Sequence, residues 1–509
     1  MKKINHILVK LTYLLIFTPF FLWAQADIDW QISLGGSGDD TSYSIEKTAD
    51  NGYIVAGRSD STDGDVSENQ GQFDYWVVKL NELGGLEWEK SYGGTQIESV
   101  NEIIQTLDGG YIMAGLSLSN DGDVTTNNGV FDYWIVKIDS SGTIEWEKSY
   151  GGSGLDIAAS IDQTEDGGYI IAGQSGSNDG DVSENKGGND YWIVKIDSSG
   201  TIEWEKSYGG SNGDSPTKIK QTSDGGYIVT GSSASNDGDV TGNNGDFDIW
   251  LIKIDDVGEL EWEKSFGGTN ADSSQDLQLT SDGGFIVSGY FQVIAPDDWN
   301  YLVLKIDSNG EMIWEKSLGG TSTENAFGIA PMGNDGWIVS GHSNSTDGDV
   351  SENFGGYDYW LVKLDENGEI DWEQNFGGSG DEQTYDIIEA NDGGFVITGQ
   401  STSNDIDLTN NNGGIDIWVL KIIPEDLGLS DFDSQISLYP NPVSSTLHIN
   451  ANNNLISKIG IYDALGKLVM TPTFSDQIIN VSQLKTGIYF LKIITSQGKA
   501  MTKKIVKIK

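Results

Sequence analysis

Along most of this chain apolar and polar residues alternate in short runs, broken every few residues by turns rich in Gly, Asn or Asp. Residues 151–208 show the pattern in full. The runs 156–163, 168–174, 190–197 and 201–208 each have strand length and strand composition, and Asp-Gly-Gly and Ser-Ser-Gly turns lead into two of them. Four such strands, the second entered through an Asp-Gly turn suited to a tight hairpin, predict one small antiparallel sheet. The unit then repeats. Its opening Gly-Gly stands at 35, 93, 151, 209, 267, 319 and 377, spaced by 58 residues except for one interval of 52.

Seven four-stranded units at this period indicate either a β-propeller or a solenoid of sheets. The ends of the repeat region discriminate. The fourth-strand Trp occurs at 30, 88, 146, 204, 262, 314 and 372, so its first copy precedes the first complete unit, and none follows Lys421. A ring accounts for both facts if residues 28–34 complete the last blade beside 416–422, which also removes the open edges a solenoid must cap. The fold expected is all-β: a seven-bladed β-propeller over 27–423. The units resemble the bacterial propeller repeats known as SBBP, which share the Gly-Gly-Ser-Gly-x-Asp opening and the Asp-x-Gly-x-Tyr-Ile-x-Gly stretch.

The two ends of the chain have different patterns. Met1-Lys2-Lys3, an apolar run from Leu11 to Trp23 and then Ala24-Gln25-Ala26 predict a signal peptide over 1–26, cut after Ala26 at the small-x-small site formed by Ala24 and Ala26. The run is too short to span a bilayer comfortably, and no later segment is apolar enough to do so. At the other end, beyond a linker at 424–434, residues 435–509 alternate as a small β-sandwich. This segment carries Tyr439-Pro440-Asn441-Pro442, then Gly466-Lys467, then Gly487-Ile488-Tyr489, and closes on a Lys-rich strand. These motifs resemble the type A sorting domain of the type IX secretion system of Bacteroidetes. The resemblance implies recognition by the type IX machinery, delivery to the outer cell surface or the medium, and removal of the tag.

Charge and composition narrow the function. Residues 27–434 hold 17 basic against 76 acidic side chains within a chain of formal net charge −49, a balance that repels nucleic acid and attracts cations. There is no Cys, so disulfides, thiol nucleophiles and Cys-ligated metals are excluded. Arg58 is the only Arg, and His342 is the only His between the two end segments. An arginine cluster of the sialidase kind is therefore impossible, and a Ser-His-Asp site would have to use His342.

Carboxylates are the remaining candidates. One follows each Gly-Gly at Asp40, Glu98, Asp156, Asp214, Asp272, Glu324 and Glu382, near the start of an innermost strand, where the seven would ring the channel mouth. A second set lies in an Asp-Gly-Asp-Val-Ser/Thr-x-Asn loop: Asp63 and Asp65, Asp121 and Asp123, Asp179 and Asp181, Asp237 and Asp239, Asp347 and Asp349. Alternating Asp with a Gly that permits a sharp turn, then a hydroxyl and Asn, suits the six to eight oxygens of a Ca²⁺ site. The same residues also form turns that cap their own amides. Blade five lacks this loop, which accounts for the short interval. The expectation is a secreted or surface-bound binding propeller, without catalytic residues, for a glycan or protein partner and with Ca²⁺ as candidate cofactor. Its rivals are a carboxylate-dependent polysaccharide hydrolase or lyase and a structural spacer of the cell surface.

Overall fold

In a computed structural model each repeat forms one antiparallel sheet of four strands, and seven such sheets make the propeller unit. The structure describes residues 26–294, 298–333, 336–408, 410–424, 437–450, 456–463, 467–472, 478–495 and 500–508. Residues 1–25 of the signal segment, Ala24 among them, all but the first residue of the 424–434 linker, and Gly466 lie outside these. The chain divides into two compact units between Pro424 and Glu425.

Blade three illustrates the local logic, with strands Asp156–Gln163, Tyr169–Ser175, Asp190–Ile196 and Ile202–Tyr208. The turn between the first two closes through Gly167 N–H to the Thr164 carbonyl (2.9 Å), with Gly167 at φ +84°. Asp166 accepts from Thr164 Oγ1 and Gly168 N–H, so the Thr-x-Asp-Gly-Gly turn is a self-contained hydrogen-bonded unit. The third strand is buried throughout because neighbouring blades cover both its faces. Its Lys195 pairs there with Asp166 (2.9 Å) and Glu203 (2.8 Å). Its Trp192 packs against Tyr133 of the preceding blade, and Tyr133 donates its hydroxyl to the Trp192 carbonyl (3.0 Å).

Innermost strands of adjacent blades contact one another around the whole circle, blade seven meeting blade one. The ring closes as the repeat arithmetic required. Ala26–Leu34 pairs antiparallel with Asp416–Pro424, and blade seven reads first strand, second, third, then this N-terminal strand. The pairing begins at Ala26, one residue inside the expected signal peptide. Ala26 is buried beside Trp372 and Phe376 and donates its amide to Gln374 Oε1 (2.7 Å). In blade five the missing loop is replaced by a longer hairpin, Phe285–Ile294 with Asp298–Ile306.

The second unit has two sheets. Ser437–Tyr439, Thr446–Asn450 and Ile478–Asn480 form one; Leu468–Met470, Ile456–Asp463, Gly487–Thr495 and Ala500–Lys507 form the other. Its core joins Leu447, Ile449 and Ile479 of the first to Ile459, Ile461, Leu491 and Ile505 of the second.

Candidate functional site

The seven acids that follow Gly-Gly stand at the first position of each innermost strand, but they do not ring an open mouth. All are buried. Asp156 accepts from Gly152 N–H (2.8 Å), Ser177 Oγ (2.7 Å) and Ser175 Oγ, and the second Gly of Gly-Gly donates to its acid in every blade. The residues expected to face solvent are instead anchors that fold the preceding loop over themselves, because a carboxylate offers enough acceptors to satisfy that loop's amides and hydroxyls at once.

The Asp-Gly-Asp loops fold back onto the same segment. Asp179 accepts from Ser153 N–H (2.6 Å) and Asp181 from Gly151 N–H (3.2 Å). Asp63 and Asp65, Asp121 and Asp123, Asp237 and Asp239, and Asp347 and Asp349 do the same in their blades. Val182 is buried and pins the loop, and Asn185 bridges the Ser175 carbonyl (3.0 Å) and Gly187 N–H (2.9 Å). Both Asp residues and the Asn of the motif thus have backbone partners, while Thr125 and Thr241 donate to Glu147 and Glu263. Among the described residues no group of three or more His, Cys, Asp or Glu side chains is arranged to hold a metal ion, and the loop carboxylates are engaged by the amides of the preceding segment.

A third buried carboxylate closes this layer. Asp132, which opens a third strand, accepts from Asn128 N–H (2.6 Å), while its other oxygen faces Gly151 of the next blade. A Cβ on Gly151 would lie 2.6 Å from Asp156 Oδ2 and 2.9 Å from Asp132 Oδ1, and Gly151 has φ +155°. Gly151→Ala is accordingly expected to cost about 1–3 kcal/mol from backbone strain alone, seen as a lower urea midpoint; an unchanged midpoint would mean the carboxylates are not packed on this glycine.

Burial pushes Asp74, Asp132, Asp190 and Asp416 up to about 6 and Asp358 to about 7, and the neighbouring first-strand carboxylate of the next blade adds to it. Folding therefore raises these groups above their ordinary value. Between about pH 4 and 7 the folded chain retains protons that the unfolded chain has released, so stability falls as pH rises through that window. The melting temperature should be higher at pH 5 than at pH 7.5. Asp108, Asp166, Asp224 and Asp282, held at about 2 by their turn hydrogen bonds and paired Lys against partial burial, lose their contribution only at lower pH. A melting temperature that falls from pH 7.5 to pH 5 would show the first group ionised.

The repeat breaks down inside the channel. Each innermost strand carries a β-bulge after its third residue, opposite a glycine of the second strand. At Gly173 a Cβ would lie 2.1 Å from the Ile157 carbonyl, so only glycine lets the backbones approach this closely. The bulge turns one side chain per blade toward the axis: Tyr43, Asn101, Ala159, Thr217, Gln275, Phe327 and Tyr385, six residue types in seven copies. With several residues that follow them they line a cavity of ≈ 310 Å³.

Those following residues also differ, and they bind the blades together. The amide of the next residue in each blade bonds to a side chain, mostly from the preceding blade: Ile103 N–H to Ser44, Ile161 N–H to Glu102 (2.6 Å), Ile219 N–H to Ser160. Blade four offers Lys218 and blade six offers Gly328, neither of which can accept. There Asp276 and Asp386 cap their own neighbours, Leu277 (2.7 Å) and Ile387 (2.8 Å), and use the second oxygen for Ile329 (3.0 Å) and Ile45 (2.9 Å). Lys218 reaches across the channel to Glu102 and lies 3.8 Å from Asp276. Burial works against the Lys218 charge, but Glu102, Asp276 and Asp386 overcome it and hold its pKa above the ordinary lysine value. Burial also raises Asp386 to about 7, Lys218 opposing and Asp276 reinforcing the shift. The sequence reading missed this ring; the signal available was the set of repeat positions at which the seven copies disagree.

His342 is buried, stacked on Phe327 at 5.4 Å, and burial pushes it down to about 3, so it is neutral; its Nε2 lies 3.5 Å from Asn325 Nδ2, and among the described residues no Ser is hydrogen-bonded to it. In the second unit Asn441 accepts from Val506 N–H and donates to the Lys504 carbonyl, both at 2.8 Å, which ties the Pro-Asn-Pro turn to the last strand. Pro440 and Pro442 flank it. Tyr439 is exposed and stacks on His448, Gly487 opens the penultimate strand, and Tyr489 donates to the Lys485 carbonyl (3.0 Å). Lys467 is exposed.

Residues 437–509 match the family described as the secretion system C-terminal sorting domain. The chain is also similar to the regulatory protein FlaEY of Caulobacter vibrioides, 27% identical over 197 residues that make up 34% of this chain and 20% of that protein. Among solved structures it is similar to the extracellular domain of a putative one-component system from B. thetaiotaomicron (12% identity, TM-score 0.43, 95% of this chain and 60% of the other). It is similar too to PorZ, a surface component of the type IX secretion system of Porphyromonas gingivalis (12% identity, TM-score 0.33, 90% and 69%). The match thus spans a fifth of the curated relative and three fifths of the first of these structures.

Proposed function

We propose that this chain is a binding protein of the cell exterior that takes its partner in the central channel of the propeller. The sorting domain at 437–509 directs export to the cell surface or beyond it. The channel assignment rests on one observation: blades that agree in turns, anchors and inter-blade contacts disagree at the bulge residues that line the cavity. The contacts these side chains make do not recur from blade to blade, Asn101 donating to the Ala158 carbonyl and Thr217 to the Thr230 carbonyl, so no shared structural role accounts for their divergence. Recognition of an asymmetric ligand does.

The test uses the full exported chain and Ala159→Trp, which fills the channel from a half-buried position and removes no hydrogen bond. On glycan and peptide arrays the parent chain should bind a ligand that the variant loses. Binding that survives the substitution would remove the channel from the account. A polysaccharide hydrolase or lyase has less support, since Asp276 and Asp386 use both oxygens on backbone amides. Turnover of a polysaccharide, lost in Asp386→Asn, would establish it. If no ligand depends on the channel, the spacer role remains.

Calcium binding by the Asp-Gly-Asp loops has no support beyond their composition. The melting temperature is expected to be the same in millimolar Ca²⁺ and in EDTA. One occupied site at 100 times its dissociation constant would add about 2.7 kcal/mol, so a clear rise would restore the calcium role.

A further inference from the structure

The two sides of the channel differ in chemistry. Blades six, seven and one present Phe327, Tyr385 and Tyr43, whose rings meet edge to face with centroids 5.2 Å apart in both pairs. The other blades present small or amide side chains at the same level. Lining the same cavity, three carboxyls (Glu102, Asp276 and Asp386) surround the ammonium of Lys218. Lys220, Glu46 and Asp162 also act on this group, so five carboxyls face two ammoniums; the channel holds more carboxyls than its lysines neutralise, and aromatic faces adjoin it.

We infer that the channel takes an organic ammonium, a primary or methylated amine on an alkyl chain as in a lysine side chain, with its charge set between the carboxyls and the tyrosine faces. This rests on the channel assignment above. A cation is favoured by the carboxyl excess, and the aromatic wall attracts cations through the ring quadrupole. Arg58 already lies over one ring of that wall, its guanidinium carbon 5.8 Å from the Tyr43 centroid, although its nearer ring, Phe73 at 4.5 Å, is not among the cavity lining. A bare metal ion is disfavoured, because the carboxyls are spread between blades and no three converge among the described residues. The cavity of ≈ 310 Å³ suits a ligand of a few carbons and lies at the low end of the roughly 300–1,000 Å³ usual for small-molecule sites. The acidic surface of the repeats steers cations toward it.

Calorimetric titration of the full chain with n-butylammonium and with Nα-acetyl-lysine methylamide tests this, using n-pentanol and Nα-acetyl-norleucine methylamide as neutral controls. The ammonium probes should bind at least about tenfold more tightly than the controls, and Tyr385→Leu should cost about tenfold, the size of a partly desolvated cation–π contact. Ala159→Asp should tighten binding and Ala159→Lys should abolish it, with melting temperatures near the parent value confirming the fold. Affinity should also rise from pH 6 to pH 8 as Asp386, faced by Lys218, Asp276 and Glu102, ionises. Equal binding of the neutral controls, no binding of either ammonium, or indifference to Ala159→Lys would overturn the inference. A neutral ligand such as a glycan that Ala159→Trp displaces would overturn it while leaving the channel assignment intact; a ligand indifferent to Ala159→Trp would remove both.

Discussion

Deleting residues 26–34 is expected to abolish cooperative folding of the propeller. The strand Ala26–Leu34 is the fourth strand of blade seven and the one covalent link by which the first blade holds the last. Without it Trp418 loses Gln31 as acceptor (2.9 Å), Lys421 loses Asp29 (3.3 Å), and Asp416–Pro424 becomes an open edge. Ala26 and Leu34 no longer cover Trp372 and Ile417. Losing several core contacts at about 2–5 kcal/mol each exceeds the 5–15 kcal/mol by which a typical domain is stable, and an exposed strand edge favours aggregation. A chain beginning at Gly35 should show no sharp thermal transition; an unchanged melting curve would mean that blade seven stands on three strands. The same geometry bears on processing. Cleavage after Ala26 would remove a buried residue and its bond to Gln374, so intact-mass measurement of the exported protein is expected to place the mature N-terminus before Ala26.

Glu102→Gln is expected to destabilise the propeller by about 3–5 kcal/mol, the cost of removing the nearest partner of a buried charge. Lys218 and Glu102 have side chains 17% and 6% exposed, so water screens neither well. Glutamine keeps an acceptor for Ser160 and for Ile161 N–H, which confines the loss to the charge. Lys218→Met should be costly for the mirror-image reason. The double variant should recover part of the loss, because it removes both charges together. Urea midpoints of the four proteins decide: single variants near the parent, or simple additivity, would show that the pair is solvated rather than buried.

Sequence and structure agree where the information is local. A turn such as Thr164–Gly168 is closed by its own side chains, so it can be read wherever it recurs. The missing eighth copy of the fourth-strand Trp by itself implies a ring. The acids of the loop layer were misplaced for a reason that is equally physical. Nothing in Gly151–Asp156 alone reveals that Ser175 and Ser177, nineteen and twenty-one positions after Asp156, enclose the carboxylate. The strands of blade five were read as lacking a loop, whereas the replacement residues lengthen the hairpin.

The sequence by itself determined the number of blades, the strands in each, the closure of the ring and the sorting domain, because turns and alternation are set by residues a few positions apart. Only the tertiary structure decided which side chains face the channel. A bulge in each innermost strand adds one residue and reverses the alternation beyond it, so period-two reading assigns the lining to the wrong face. Four residues as distant in the chain as Glu102, Lys218, Asp276 and Asp386 then share one cavity only because seven separate strands converge on a single axis.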